Sequence, residues 1–84
     1  MQNNKNLKKQ ILYRSTHRGF KEMDLLLGKF VKKNIDKFSY NELKELEDIL
    51  FIEDEIIYNW YFRKKMNKLI PNNKVVEMLK VFKI

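Results

Sequence analysis

Apolar residues recur along this chain at the spacing of α-helices. The clearest set is Met23, Leu26, Leu27, Phe30 and Val31, at positions i, i+3, i+4, i+7 and i+8, the pattern of a helix with one face against a core. No segment shows sustained alternation with period two, so no β-sheet is expected. The sequence therefore predicts an all-α fold, a compact bundle of five short helices at about residues 5–16, 20–34, 40–52, 55–66 and 73–82.

Residues that start and stop helices lie between these apolar stripes. Ser39 and Glu42 have the spacing of a capping box, in which each side chain accepts a backbone N–H of the other residue. Asp54 and Asn73 (or its neighbour at 72) are suitable N-caps for the fourth and fifth helices. Gly19 reads as the C′ stop of the first helix, because glycine adopts positive φ without penalty. The basic run at residues 63–65 is suited to the negative end of the fourth helix.

Length and composition exclude several classes of protein. The 84 residues allow one domain, 1–84. There is no cysteine and only one histidine, His17, so a disulfide framework, a histidine-rich metal site and a Ser/His/Asp triad all lack support. No apolar run approaches the roughly 18 residues of a membrane span, and no signal peptide is recognisable. We therefore expect a soluble, unsecreted protein that binds no metal.

The formal charge of +7 does not by itself indicate a nucleic-acid-binding protein. Residues 1–37 contain ten basic and three acidic side chains, 38–62 contain one and seven, and 63–84 contain seven and one. A nucleic-acid-binding protein concentrates its basic groups on one element, whereas here they are dispersed. A basic helix-turn-helix around residues 34–39 remains the alternative, and steeply salt-dependent DNA binding would reveal it. A small enzyme is a weaker third possibility, because few titratable groups other than carboxylates and lysines are present.

One short stretch between the first two helices carries most of the candidate chemistry. Arg18, Gly19, Glu22 and Asp24 lie within seven residues, and Arg14 lies one helical turn before Arg18. The acids would lie in the first turn of the second helix, where the free N–H groups and the helix dipole favour carboxylates. This local explanation does not account for two of the three arginines being placed beside the same turn. We therefore interpret the turn as the centre of an interface whose charged groups are kept unpaired for a partner.

Other distinctive residues have ordinary structural interpretations. His17 is expected to be a polar residue near a helix end. Trp60 is expected to be the largest anchor of the core. Gly28 costs about 1 kcal/mol inside a helix, and the expected reason is a neighbouring helix that crosses at this point.

The stretch from Tyr13 to Phe30 resembles a known family. Its Arg-Gly-x-x-Glu-x-Asp motif, at residues 18–24, is similar to that of the small FAD assembly factors of succinate dehydrogenase, called succinate dehydrogenase assembly factor 2 in eukaryotes. The chain length, the later Asn59-Trp60 pair and Pro71 also agree with this family. Phe20 departs from it, because the family usually has methionine at that position.

The resemblance implies an assembly factor or chaperone rather than an enzyme. Members of the family bind the flavoprotein subunit of succinate dehydrogenase, and in bacteria also that of fumarate reductase, and promote covalent attachment of FAD. On this basis FAD is the partner's cofactor and none is bound tightly here. The implied location is cytoplasmic in bacteria and the mitochondrial matrix in eukaryotes. By position in the motif, the partner-binding residues would be Arg18, Gly19, Glu22 and Asp24, bordered by Arg14 and His17.

Overall fold

The computed structural model describes residues 4–84 and contains no β-strand within them. The first three residues of the predicted domain lie outside this range. The radius of gyration of 12.1 Å matches the value of about 12 Å expected for a compact domain of this length. These observations confirm the all-α fold class. The helices are α1 (Asn4–Thr16), α2 (Lys21–Asn34), α3 (Tyr40–Leu50), α4 (Asp54–Phe62) and α5 (Lys74–Val81), and a single 3-10 turn (Ile35–Lys37) follows α2.

The second helix lies at the centre of the core. Its five predicted apolar residues are all buried, and Phe30 is the largest of the fully buried side chains. α1 packs against α2 and α3, while α3 packs against α5 and α2 contacts α4. Trp60 is only partly buried and lies against the edge of this core. The expectation that Trp60 is the core's largest anchor was therefore wrong, because the apolar face of α2 fills the centre.

Gly28 marks the place where α1 crosses α2. A Cβ atom built on Gly28 would lie 3.2 Å from Thr16 Cγ2 and 3.8 Å from the carbonyl oxygen of Ser15. Ser15 is itself fully buried, and its hydroxyl donates to the Leu12 carbonyl at 2.8 Å. The predicted reason for this glycine, close approach of a neighbouring helix, is confirmed.

The predicted capping box begins α3 and also connects it to α5. The Glu42 N–H donates to Ser39 Oγ at 3.2 Å, and the Ser39 N–H donates to Glu42 Oε1 at 2.8 Å. The other Glu42 oxygen lies 2.8 Å from Lys74 Nζ, in the first turn of α5. The hydrogen bond from Lys74, together with that from the Ser39 N–H, lowers the pKa of the Glu42 carboxyl below its ordinary value of 4.5.

This lowered pKa predicts a pH-dependent contribution to stability. Because the folded-state pKa of Glu42 is depressed, its stabilisation is complete above about pH 4.5 and is lost as the pH falls through the lowered pKa. Glu42→Gln should therefore lower the free energy of unfolding at neutral pH and make little difference in strong acid. Urea unfolding at several pH values measures this, with Glu77→Gln as the control, since Glu77 is exposed. An effect of Glu42→Gln that is the same at every pH would contradict the assignment.

Several helix ends differ from the prediction. α2 begins one residue later than expected, α3 ends at Leu50 rather than residue 52, and α5 is one residue shorter at each end. The largest difference is in α4, which ends at Phe62 rather than residue 66. Residues 63–66 are all exposed, so their side chains add no buried contact to the core. The Asn73 cap is confirmed, because its side chain accepts the Val76 N–H at 2.8 Å.

A left-handed residue ends α4 without a glycine. Lys64 has φ of 58°, and the N–H groups of Arg63 and Lys65 both donate to the Asn59 carbonyl, at 3.1 and 3.0 Å. A residue with a Cβ atom is disfavoured in this conformation by about 1 kcal/mol. The basic run at residues 63–65 therefore forms the stop after the helix and is not its last turn.

Lys64→Gly is accordingly expected to stabilise the domain by about 1 kcal/mol, because it relieves this conformation. The midpoint of thermal unfolding should rise by about 4–8 °C. Lys65→Gly is the matched control, since Lys65 is an exposed neighbour with an ordinary φ, and it should leave stability unchanged or lower it. A decrease in stability for Lys64→Gly would show that the left-handed conformation is not retained in solution.

Candidate functional site

Residues 17–20 form a tight link from the end of α1 to the start of α2. Gly19 has φ of 77°, as its glycine identity predicted. It lies three residues beyond Thr16, the last residue of α1, so it belongs to the link rather than to the cap of that helix. A Cβ atom built on Gly19 would meet no other atom within 4 Å. The backbone at Gly19 is therefore open to an approaching surface.

Arg18 turns inward from this link and connects it to the turn between α3 and α4. Its Nε donates to Asp54 Oδ1 at 2.5 Å, while Nη1 and Nη2 donate to the carbonyls of Leu50 and Ile52 at 2.8 and 2.9 Å. The Arg18 side chain is only 9% exposed. Since Leu50 ends α3, its carbonyl has no partner within the helix. Arg18 thus supplies a donor to the end of one helix and an ion pair to the start of the next.

Asp24 holds the same link from the other side. Its Oδ1 accepts the backbone N–H of Arg18 at 2.9 Å, six residues back. Asp24 also lies in the first turn of α2, as predicted. Its carboxylate therefore fixes the conformation of the link as well as facing the positive end of the helix dipole.

Two expectations about these charges were wrong. Arg18 and Asp24 were expected to remain unpaired in the isolated domain, but both are engaged within the chain. Asp54 was expected to cap α4, but it is the first residue of that helix and its carboxylate accepts from Arg18 instead. The cap position is occupied by Glu53, whose side chain makes no capping hydrogen bond. Whether Arg18 and Asp24 also contact a partner stays a prediction.

Glu22 is the charged residue of the motif that faces solvent. It is exposed in the first turn of α2, and among residues 4–84 its side chain has no ion pair or hydrogen bond. The motif is therefore divided by role. Arg18 and Asp24 hold the link, whereas Gly19 and Glu22 are presented on the surface.

Arg14 and His17 border the link, each beside an exposed aromatic ring. The Arg14 guanidinium lies 4.8 Å from the centre of the Phe51 ring, and its Nη1 is 3.4 Å from Glu47 Oε2. The His17 ring stacks on Tyr13, with ring centres 3.9 Å apart and planes at 14°. Its Nδ1 is 2.9 Å from the Tyr13 carbonyl oxygen. His17 is thus an exposed polar residue just past a helix end, as its ordinary interpretation predicted.

Sequence reasoning missed the two aromatic residues of this surface. Tyr13 and Phe51 are 63% and 66% exposed. Tyr13 could have been found, because it lies outside the apolar stripe of α1, which passes through Leu7 and Ile11. Phe51 carried no such signal, since it follows two core residues of α3. With these rings, the candidate surface consists of Tyr13, Arg14, His17, Gly19, Glu22 and Phe51.

This surface offers groups for recognition. It combines the open glycine backbone of the link with a carboxylate in α2 that is unpaired within residues 4–84. Two exposed rings, one in α1 and one just after α3, complete it. Within the described residues no group of three or more His, Cys, Asp or Glu side chains could hold a metal ion. The fold and this surface together define a small helical domain whose α1–α2 link is held by hydrogen bonds and leaves Gly19 exposed.

The comparisons with known proteins assign the domain to a family. Residues 9–83 match the family model described as flavinator of succinate dehydrogenase. The chain therefore belongs to this family, and the resemblance seen in its motif is confirmed.

Three similar proteins illustrate the relationship. The chain is 37% identical over 75 residues to the mitochondrial succinate dehydrogenase assembly factor 2 of Dictyostelium discoideum, covering 89% of this chain and 51% of that protein. It is 33% identical to the FAD assembly factor SdhE of Acetobacter pasteurianus, covering 87% and 64% of the two chains. The corresponding protein of Legionella pneumophila is 38% identical over 55 residues, 66% of this chain and 70% of its own.

The chain therefore spans about half to two thirds of the length of the first two of these relatives. No solved structure matches the chain.

Proposed function

We propose that this protein is an assembly factor that binds the flavoprotein subunit of succinate dehydrogenase and promotes its covalent loading with FAD. Support comes from membership of the flavinator family and from relatives named as FAD assembly factors. The observation that carries the proposal is the division of the motif, in which Gly19 and Glu22 face outward on a link fixed from within. We propose the flavoprotein subunit of fumarate reductase as a second client.

The proposed mechanism is positioning, not catalysis by this chain. When bound to the partner, FAD supplies the reactive group, and a histidine of the partner supplies the nucleophile. Holding two groups in reactive geometry can account for large rate increases without any further chemical group. The role of this domain is then to hold the partner so that its histidine and flavin meet. We accordingly propose that the protein is not an enzyme and keeps no FAD of its own.

The structure suggests a separate role for each part of the surface. Gly19 lets the partner's backbone approach closely, because no side chain stands there. Glu22 accepts hydrogen bonds from the partner near the flavin-linked histidine, since its carboxylate has no acceptor role within residues 4–84. Arg14 and His17, with their neighbouring rings, supply the edge of the contact.

Reconstitution tests this proposal. The apo-flavoprotein is mixed with FAD and this protein, and covalently bound flavin is measured by its fluorescence in a denaturing gel. Glu22→Ala should lower the loading rate by about tenfold or more, because a charge-assisted hydrogen bond at an interface is lost. Glu77→Ala, an exposed acid in the first turn of α5, is the matched control and should load normally. Full loading with Glu22→Ala would exclude Glu22 from the contact, and no stimulation by the unaltered protein would reject the function.

The helix-turn-helix alternative gains no support. Ile35 and Phe38, in the segment between α2 and α3, are buried in the core, and the family match points elsewhere. We expect purified protein to show no steeply salt-dependent binding to duplex DNA. Titration of a labelled duplex at two salt concentrations measures this.

The proposed place of action follows from the relatives. We propose the cytoplasm if the host is bacterial and the mitochondrial matrix if it is eukaryotic, and the name of the Dictyostelium relative, which is mitochondrial, supports the second. Within residues 4–84, no helix has both the length and the apolar character needed to cross a membrane.

A further inference from the structure

A groove with a tryptophan in its wall lies beside the last turn of α4. We call it the Trp60 groove, and it runs between α5 and the segment that follows α4. Its first part is lined by Trp60, Tyr61, Lys64, Lys65, Met66 and Lys80. It continues past Ile70 and Pro71, with Glu77 on its border. The proposed function uses none of these residues.

The charge of the Trp60 groove is strongly one-sided. Three lysines line its first part, and among residues 4–84 Glu77 is the one carboxylate that borders either part. Lys65 and Lys80 make no ion pair with any residue from 4 to 84, and Lys64 Nζ lies over the Tyr61 ring, 5.5 Å from its centre. The whole segment from residue 63 to the end contains seven basic and one acidic side chain. The groove therefore has positive charge that the described chain does not neutralise.

The same groove exposes apolar surface. Met66 is 93% exposed, and Leu69 in the same segment is 62% exposed. Trp60 is only partly buried although it is the largest side chain in the protein. A flexible thioether beside an indole ring adapts to apolar side chains of different shapes. An apolar side chain of a partner protein could therefore cover apolar surface that is exposed to solvent in the isolated domain.

We propose that the Trp60 groove binds a short acidic segment of another protein, one that carries an apolar side chain among its carboxylates. The carboxylates would pair with Lys65 and Lys80, and the apolar side chain would lie against Trp60 and Met66. Complementary charge of this kind speeds association and selects the partner. This site is separate from the candidate surface around Gly19, because no residue of that surface lines the groove.

A protein segment fits the groove better than a nucleic acid does. Trp60 lies against the core rather than standing out as a platform on which bases could stack. Glu77 on the border would repel a phosphate backbone that continued along the groove. An acidic peptide can instead place its few carboxylates opposite the lysines and an uncharged residue opposite Glu77.

Trp60 makes the test direct, because it is the one tryptophan in the chain and its fluorescence reports on the groove. The probes are three tryptophan-free peptides of about ten residues, in which Glu and Asp alternate with Leu or Phe. Each should give a saturable blue shift of the Trp60 emission. Versions with lysine for the acids, or with serine for the apolar residues, should bind about tenfold more weakly or not at all.

Charge-reversal variants locate the binding. The double variant Lys65→Glu/Lys80→Glu should weaken binding of the acidic peptides by about tenfold or more. Lys29→Glu/Lys37→Glu changes the net charge equally at exposed positions outside the groove and should bind as the unaltered protein does. Both variants should keep the helical circular dichroism and the loading of flavin that tests the proposed function.

Three results would overturn the proposal. If no peptide gives a saturable shift at low salt, the groove is not a docking site for acidic segments. If a single-stranded oligonucleotide binds more tightly than every peptide, the groove is a nucleic-acid site. If sedimentation shows an oligomer that Lys65→Glu/Lys80→Glu dissociates, its occupant is a second copy of this chain.

Discussion

Arg18→Ala is expected to destabilise the domain by about 3 kcal/mol, since breaking a buried ion pair from one side leaves a charge without compensation. The variant would remove every hydrogen bond that the Arg18 side chain donates. The Asp54 carboxylate is only 20% exposed, and the carbonyls of Leu50 and Ile52 would also lose their donor. A buried polar group without a partner costs about 1–3 kcal/mol. The effect should therefore be far larger than the motif's position in a surface link suggests.

Urea unfolding measures this effect, and Arg14→Ala is the matched control. Arg14 is 38% exposed and its contact with Glu47 is 3.4 Å long, so its loss should cost no more than about 1 kcal/mol. The loss of stability in Arg18→Lys should be intermediate between those of Arg18→Ala and Arg14→Ala. The lysine keeps the positive charge, but its ammonium group cannot reproduce the three directions of the guanidinium donors. If Arg18→Ala and Arg14→Ala were equally stable, the inward position of Arg18 would not exist in solution.

Because the residues of the motif have different roles, a loss of function has a different cause at each of them. A variant of Arg18 is expected to lose function because the link loses its shape, whereas a variant of Glu22 is expected to lose function with the fold intact. The two cases differ in thermal stability, which an assay of flavin loading alone would not distinguish. Stability and loading should therefore be measured on the same preparation.

Local features of the structure could be predicted from the sequence, and long-range features could not. The core face of α2 and the Ser39 box depend on residues within two turns of each other, so their spacing is sufficient evidence. The positive φ of Gly19 is local for the same reason. The pairing of Arg18 with Asp54 joins residues 36 positions apart. Nothing in the spacing of either residue indicates it, and Asp54 was therefore assigned to a local cap.

The prediction of where α4 ends was wrong for a different reason. A basic run after an apolar stripe is typical of the last turn of a helix, and no glycine marks the stop. The structure places Lys64 in the left-handed region instead, where lysine is uncommon. Residues 63–66 are all exposed, so no packed contact extends the helix through them. That information belongs to the packed structure and not to the sequence of the segment.

Gly19→Arg is expected to lower the rate of flavin loading by about a hundredfold or more, which abolishes the stimulation, while the isolated domain stays folded. The Cβ atom of the new side chain has no neighbour within 4 Å beyond the adjoining residues, and Gly19 is exposed, so the arginine can extend into solvent. Its main cost to the fold is then the positive φ, about 1–2 kcal/mol. At the proposed contact, however, a long charged side chain would stand where the partner must approach. A misplacement of about 1 Å can cost a hundredfold in rate when catalysis depends on positioning.

Gly19→Ala separates the two effects, because alanine has the same conformational penalty at φ of 77° but projects only a methyl group. The alanine and arginine variants should unfold at similar urea concentrations. Flavin loading measured on the same samples should be largely retained with alanine and lost with arginine. Equal loss in both variants would mean that the glycine conformation itself is required. Full loading with arginine would mean that the partner does not approach the Gly19 link, and the proposed interface would have to be placed elsewhere on the domain.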